Sequence, residues 1–310
     1  MATYTYALDA PMPAACAGGV FTIGNFDGVH VGHQALLTEA TRQAHSLGAP
    51  SVAVTFDPHP IQLLRPGHVE PFLTTMEDRA TLLQRYGIVH VLILQTTLPL
   101  LQLTARDFFE RIIVQQSQAR ALVEGFNFAF GKGREGTVEV LREWCAEKKI
   151  GLTLAPPVEV RGVRVSSSRV RNELSAGAVE VATELLGRPY RIAGIVGAGQ
   201  KRGATLGFPT ANLHQIPTMV PGNGVYAVKA VVGNDTWPAA ANVGPNPTFG
   251  ENARKVEVHL LGFSGDLYDR PLAIDFIGKI RDTRPFGSAQ ELVAQIQKDI
   301  GAVRKILGSE

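Results

Sequence analysis

Residues 20–37, VFTIGNFDGVHVGHQALL, constrain the fold more than any other stretch of the chain. An apolar strand ends at Gly24, a polar turn carries Asn25, Phe26, Asp27 and Gly28, and a helix opens around His30 and His33. Strand, turn and helix follow within eighteen residues, the way an open α/β sheet presents a ligand site at the carboxyl end of its first strand. His30 and His33 share a face of the helix's first turns, where free backbone N–H groups and the macrodipole favour an anion. Both rings are expected to donate to one phosphate, with Gly28 and Gly32 letting the backbone approach closely. The spacing alone is equally compatible with packed or surface histidines; the strand, the glycines and the acidic turn favour a site.

Size and charge set the bounds around that segment. With 310 residues the chain is long for one typical domain and comfortable for two, each able to bury its own core. Lys and Arg number 30 against 28 Asp and Glu, so no footprint of nucleic-acid binding is present and phosphate selectivity has to be local. Cys16 and Cys145 stand far apart without metal-ligand spacing, which argues against a disulfide framework or a zinc site and fits a reducing cytoplasm. Residues 1–19 lack the basic start and apolar core of a secretion signal, and no apolar run approaches the roughly 20 residues of a membrane helix. A soluble, cytoplasmic protein is expected, with no membrane, no nucleic acid and no obligate protein partner.

Helical spacing over 33–47 stops at Gly48, and SVAVTF reads as the second strand of a βαβ unit. It runs into DPHP, where Pro58 and Pro60 stiffen a loop that sets Asp57 and His59 beside the first turn; an ordinary proline turn is the competing reading. A helix over 77–86, the buried strand IVHVLIL, a helix from Thr104 and the strand ALVEG continue the alternation, which predicts a mostly parallel, doubly wound sheet. The turn after ALVEG carries Asn127, Phe128 and a basic loop at 131–134. VSSSRVRNELSAG, residues 165–177, places Ser167, Ser168 and Arg171 at a helix mouth, suited to triphosphate oxygens or, more plainly, to a serine cap and a solvated helix face.

Past a boundary near Gly187 the pattern changes to short strands separated by Gly and Pro, the spacing of a small β-barrel, followed by an amphipathic helix over 288–306 with Leu292, Ile296, Ile300 and Val303 inward. GIVGAGQKRGATLGFPTANL, residues 194–213, lacks the Walker spacing and the strand–helix context, which excludes P-loop and dinucleotide readings. Gly194, Gly197, Gly199, Gly203 and Gly207 are expected to let a loop wrap a polyphosphate, and Thr210 and Asn212 offer oxygens suited to Mg²⁺. A glycine-rich hairpin without a ligand is the alternative.

GNFDGVHVGHQ is similar to the HxGH signature of nucleotidylyltransferases, and its FDGVH and GHQ form resembles the bifunctional riboflavin kinase/FMN adenylyltransferases, the prokaryotic-type FAD synthetases. The DPHP, NFAFG and SSSRVR stretches, then GFPTAN, GVYAV and VEVHLL, follow in that family's order, so the resemblance spans Val20 to about Ile300. It implies an α/β plus β architecture: a Rossmann-like HxGH nucleotidylyltransferase domain over 1–187 and a small riboflavin-kinase β-barrel with a terminal helix over 188–310. It implies that the barrel phosphorylates riboflavin with ATP to FMN, and that the first domain transfers AMP from a second ATP to FMN, giving FAD and pyrophosphate. Gly24, Asn25, Phe26, Asp27, Gly28, Ser167 and Ser168 then bind nucleotide, as do the five barrel glycines; His30, His33 and Arg171 stabilise developing charge. Asp57, His59, Asn127, Phe128, Arg281 and Phe286 contact flavin, Thr210 and Asn212 hold Mg²⁺ around ATP, and Glu257 is the base of the kinase reaction. Ala129, Asn246, Gly262 and Asp269 depart from the residues common at those places in the family.

Overall fold

Apolar runs of four to seven residues, too short for helices and closed by Gly or polar turns, form the strands of a parallel sheet in the first part of the chain. The computed structural model describes residues 1–67, 70–199, 202–246 and 251–308 and divides the chain into two compact units, Met1–Glu70 with Thr74–Ser166, and Pro71–Leu73 with Ser167–Glu310.

The first unit runs β1 (Ala2–Tyr6), β2 (Val20–Ile23), α1 (Val31–Leu47), β3 (Ser51–Asp57), α2 (Pro60–Leu64), α3 (Met76–Arg85), β4 (His90–Gln95), α4 (Leu98–Gln102) and α5 (Ala105–Phe108, continued by a π-helical stretch, Phe109–Gln116). It goes on through β5 (Ala121–Gly125), α6 (Val138–Lys148) and β6 (Gly151–Ala155) to a small hairpin of β7 (Glu159–Val160) and β8 (Val163–Arg164). Six strands pair in the order β1-β4-β3-β2-β5-β6, every pair parallel. β2 is buried along its whole length because helices cover both faces. Phe21, Ile23 and Leu122 point into one apolar layer; Val20, Val123 and Leu37 point into the other. The doubly wound sheet expected from the alternation is therefore present. It has one strand more at its edge, β1, whose residues pair with β4 from Ala2↔His90 to Tyr6↔Leu94.

The second unit opens with α7 (Ser167–Ser175) and α8 (Val179–Leu186). It continues with β9 (Tyr190–Gly197), α9 (Arg202–Thr205), β10 (Ala211–His214), β11 (Gly224–Val232), β12 (Asp235–Asn246), β13 (Glu251–Leu260), β14 (Pro271–Arg281) and α10 (Ala289–Leu307). Six strands close a barrel in the order β10-β13-β12-β11-β14-β9. Strict alternation in β9, with Tyr190, Ile192 and Val196 buried, fills its interior. The composition changes near Gly187, whereas the compact units part at Ser166; α7 and α8 lie with the barrel, where Glu180 of α8 accepts the Lys279 N–H of β14 at 2.7 Å.

The terminal helix begins at a Ser288 cap, ends at Gly308 in the left-handed region, and buries Val303 against Ala227 and Leu261. Its inward stripe differs from the expected apolar one at Asp299, which is 5 % exposed. Arg281 at the end of β14 meets it with Nε and Nη2 at 2.7–3.1 Å, and Gln295 adds a third donor at 2.8 Å. Removing one partner of a pair this enclosed leaves the other charge poorly solvated. Asp299→Ala is expected to cost about 2–3 kcal/mol of stability, read as a lower denaturant midpoint, and Arg281→Met combined with Asp299→Leu is expected to recover part of that loss.

Candidate active sites

The order of strands in the first unit places its crevice. From β2 the chain moves outward through β3 and β4 and then returns to the other side of β2 with β5, so the direction reverses between β2 and β5 at their carboxyl ends. A ligand crevice belongs at that switch point. The turn leaving β2 enters it with Phe26, Gly28 and Val29 all at positive φ, 49°, 81° and 41°. For Phe and Val this region is costly, so the turn needs outside support. Asp27 supplies it: buried at 2 % exposure, its Oδ1 accepts from Thr74 N–H at 3.1 Å, Thr74 Oγ1 at 3.0 Å and Arg79 Nη2 at 3.1 Å. Gly28 N–H in turn donates to Thr74 Oγ1 at 3.2 Å. Thr74 and Arg79 were not singled out in the sequence, although Arg79, on the same inward stripe of α3 as Leu83, is the visible signal.

His30 caps α1, and its Nδ1 accepts the His33 N–H at 3.2 Å. The capping bond assigns Nδ1 as acceptor, which leaves Nε2 as the donor in a neutral ring. The His33 ring stacks on it at 3.7 Å with a 13° tilt and meets Phe26 edge-on at 5.2 Å. Burial, with His30 and Arg79 nearby, holds His33 well below the ordinary imidazole range, so it is neutral at physiological pH. Its Nδ1 is buried and has no hydrogen-bond partner among the described residues. The two rings are thus together as expected, as a stacked pair of which one nitrogen already serves the helix. Gly32 leaves the His30 ring uncrowded, since a Cβ there would stand 3.2 Å from it.

Other first-unit residues of the sequence reading gather at the carboxyl ends of the strands. Asn25 follows β2 and its carbonyl accepts Thr55 Oγ1 at 3.1 Å. Asp57 ends β3 and is exposed, and His59 caps α2 through Nδ1 to Ile61 N–H at 3.1 Å. Asn127 and Phe128 follow β5; Phe128 stacks on Phe130 at 5.5 Å, and Asn127 is exposed. Ser167, Ser168 and Arg171 stand instead at the start of α7 in the second unit, where Arg171 Nε donates to the Pro71 carbonyl at 2.9 Å.

In the barrel, pairing registers bring the predicted residues into one row. Asn212 of β10 is opposite Glu257 of β13, and Glu257 is opposite Asn242 of β12. Directly paired residues of an antiparallel ladder share a face, with Cβ atoms roughly 5 Å apart. The row lies on the outer face, because Val256 and Val258 on either side of Glu257 are buried inward. Asn242 was not anticipated; the alternation of AAANVG in β12 is the pattern that could have placed it. Gly194 and Gly197 are strand residues of β9 rather than loop residues: a Cβ at Gly194 would stand 2.4 Å from the His214 carbonyl oxygen. Gly199, next to the row, leaves space for the Asn212 amide, which a Cβ would meet at 2.2 Å. Thr210 is exposed just before β10. Gln200, Lys201, residues 247–250 and the Asn246 side chain lie outside what is described.

Arg281 and Phe286, expected at flavin, form a cation–π pair at 5.7 Å while the guanidinium is bound to Asp299. The departures at 262 and 269 have a common explanation. Gly262 has φ 75° and Asp269 φ 59°, so the chain carries Gly where Asp is common and Asp where Gly is common, both at left-handed positions that either residue tolerates.

Residues 13–169 match the family model described as FAD synthetase, and residues 186–307 the one described as riboflavin kinase. A bifunctional riboflavin kinase/FMN adenylyltransferase of Pseudomonas fluorescens is 40% identical over 93% of each chain. Those of Escherichia coli K12 and Bacillus subtilis 168 are 36% and 35% identical over 94% and 91% of this chain and 93% and 90% of their own. A solved structure from Streptococcus pneumoniae, described as a macrolide-efflux protein, has 31% identity and a TM-score of 0.88, covering 97% of this chain and 98% of its own. That description belongs to that protein; among the residues described here no helix is long and apolar enough to cross a membrane. With both halves matched in order and such relatives aligned over nine-tenths of its length, the chain belongs to the bifunctional riboflavin kinase/FMN adenylyltransferase family.

Proposed function

We propose that the chain's two family activities are divided between its units, with adenylylation of FMN by ATP carried by the HxGH turn of the first and phosphorylation of riboflavin by ATP carried by the barrel of the second. The observation that supports this division is that the HxGH histidines, His30 and His33, stack at the switch point of the first unit, while Asn212, Glu257 and Asn242 form one row in the second. The protein is assigned to the cytoplasm, in keeping with its two free, buried cysteines.

In the adenylyl step the FMN phosphate forms a bond to the α-phosphorus of ATP while the bond to pyrophosphate breaks. The nucleophile is already an anion, so the site has to align it and stabilise charge rather than remove a proton. The backbone of Gly24–Gly28, His30 through Nε2 and the neutral His33 ring carry that role. Ser167, Ser168 and Arg171 are assigned to the ATP phosphates by their match to the family motif, and Asp57, His59, Asn127 and Phe128 to flavin. Asp27 is placed differently: its bonds to Thr74 and Arg79 make it the clamp of the turn, through which it positions the nucleotide-binding backbone.

In the kinase step Glu257 takes the proton of the riboflavin hydroxyl that attacks the γ-phosphorus of ATP, and ADP leaves. Mg²⁺ fits the donor set beside it: Thr210 and Asn212 offer neutral hard oxygens, few enough to leave sites for phosphate and water. Bound there it would screen the phosphate charges. Asn212 and Asn242 flank the carboxylate and orient it. Gly199, Gly203 within α9, and Gly207 at φ 87° are assigned to the ATP phosphates by their match to the family motif, while Arg281 and Phe286 are assigned to the flavin side.

Incubation with riboflavin, ATP and Mg²⁺ followed by chromatography of the flavins tests the division. Accumulation of FAD through FMN is expected. His33→Ala is expected to stop at FMN with the riboflavin rate unchanged, and Glu257→Ala to lose riboflavin phosphorylation while still converting supplied FMN to FAD. Equal loss of both steps in either variant would refute separate sites.

The low His33 pKa has its own consequence. The ring proton resonance of His33 is expected to stay flat between about pH 6 and pH 8, whereas a titration centred near 6.5 would show an imidazolium at the site. Stability follows the same sign: the unfolded chain takes up the proton first, so the contribution is full above the ordinary histidine range and declines as pH falls through it.

A further inference from the structure

The sheet of the first unit parts at one place. β2 pairs with β5 over Val20↔Ala121 and Phe21↔Leu122 and no further, while on its other side β2 continues with β3 to Ile23↔Val54. β5 likewise continues with β6 to Gly125↔Ala155. Extending the register, Thr22 would face Val123 and Ile23 would face Glu124. Those rungs do not form, and the two central strands separate just before the Gly24–Gly28 turn.

At the point of separation a side chain does the work of the missing rung. Oε1 of Glu124 accepts the Ile23 N–H at 2.9 Å. The residue is 1 % exposed, on the face of β5 that also carries Leu122. Burial pushes the Glu124 carboxyl well above the ordinary carboxylate range, so it is held as a neutral acid. Valine or leucine is the usual choice for a parallel strand covered on both faces, and it would let the ladder close for two more residues. A buried carboxyl costs more than either unless it satisfies a group that would otherwise be orphaned. The orphan here is the Ile23 amide, and it exists because the strands part.

We infer that Glu124 is a positioning residue of the adenylyl site: by taking the Ile23 N–H with its side chain it holds β2 and β5 apart, and so sets where the Gly24–Gly28 turn and His30 meet ATP. Glu124 touches no substrate. Its replacement by an apolar residue draws β2 toward β5 and shifts the turn, whereas glutamine keeps an acceptor of the same reach and a neutral group in the same seam.

This inference rests on adenylyl transfer belonging to the first unit, and the experiment separates the two. The full chain and its Glu124→Val, Glu124→Gln and His33→Ala variants are assayed for FAD formation from FMN with varied ATP, with riboflavin phosphorylation measured in the same preparations. Glu124→Val is expected to raise the KM for ATP about tenfold with a smaller change in kcat, and Glu124→Gln to restore the wild-type KM. Riboflavin phosphorylation is expected to stay constant throughout. An unchanged KM in Glu124→Val overturns the positioning role, as does a Glu124→Gln variant impaired in KM as badly as Glu124→Val. Where the valine variant does not fold, Glu124→Ala, which also removes the acceptor, takes its place: a raised KM for ATP is expected, and an unchanged one overturns the positioning role. If His33→Ala leaves FAD formation intact, the placement of the reaction fails instead, whatever the Glu124 variants do.

Discussion

The buried ion pair between Asp27 and Arg79 fixes the turn on which the first site is built. Phe26 and Val29 are held at positive φ, each at a cost of about 1–3 kcal/mol. Locally the Val29 N–H donates to the Phe26 carbonyl at 3.0 Å, which closes the turn without removing the strain. The support comes from α3 and the residues leading into it, through Arg79 and Thr74, both buried and both bonded to the same carboxylate oxygen. A buried pair of this kind contributes little net stability compared with apolar packing, but it tolerates few geometries. Directional bonds are what a strained turn requires, so the pair serves position more than stability. The His30 cap and the His33 stack follow from it, because α1 starts where the turn ends.

The barrel solves the corresponding problem without strain. Closure of six strands leaves no free edge, and inward Val256 and Val258 lock β13 in register. A slip of one residue would turn Glu257 into the core and those valines into solvent, so the hydrophobic pattern itself protects the placement of the carboxylate. Asn212 and Asn242 inherit their positions from the same ladder. A polar row on a closed barrel is therefore specified by alternation, whereas a strained turn at the end of an open sheet has to be clamped from outside.

That contrast explains what could be read in the sequence. The strands YRIAGIVG and GVYAVKAVV are legible to the residue, because alternation and turn residues are local signals. The HxGH turn is legible as a ligand site for the same reason. The clamp is not: Thr74 and Arg79 lie 47 and 52 residues from Asp27, and no local pattern pairs them. β1 escaped because its alternation is short and its partner strand is distant. Asp299 was hidden by an otherwise apolar stripe, and its partner Arg281 read as a flavin residue. The glycines illustrate the limit best. Gly194 and Gly199 look alike in sequence, yet one makes room for a neighbouring strand and the other for the Asn212 amide.

The two proposed reactions also account for the different chemistry of the two sites. A hydroxyl has to lose its proton as it attacks phosphorus, and the barrel offers a half-buried carboxylate between two amides. A phosphate monoester has no such need, and what would hinder it is a second negative charge close to ATP. Glu124, the buried carboxyl of this unit, is held as a neutral acid and adds no anion. Asp27, the acidic residue of the turn, is turned away into its pair with Arg79. A neutral His33 ring stacked on His30, backbone N–H groups and an internally compensated carboxylate suit the proposed alignment of two polyanions.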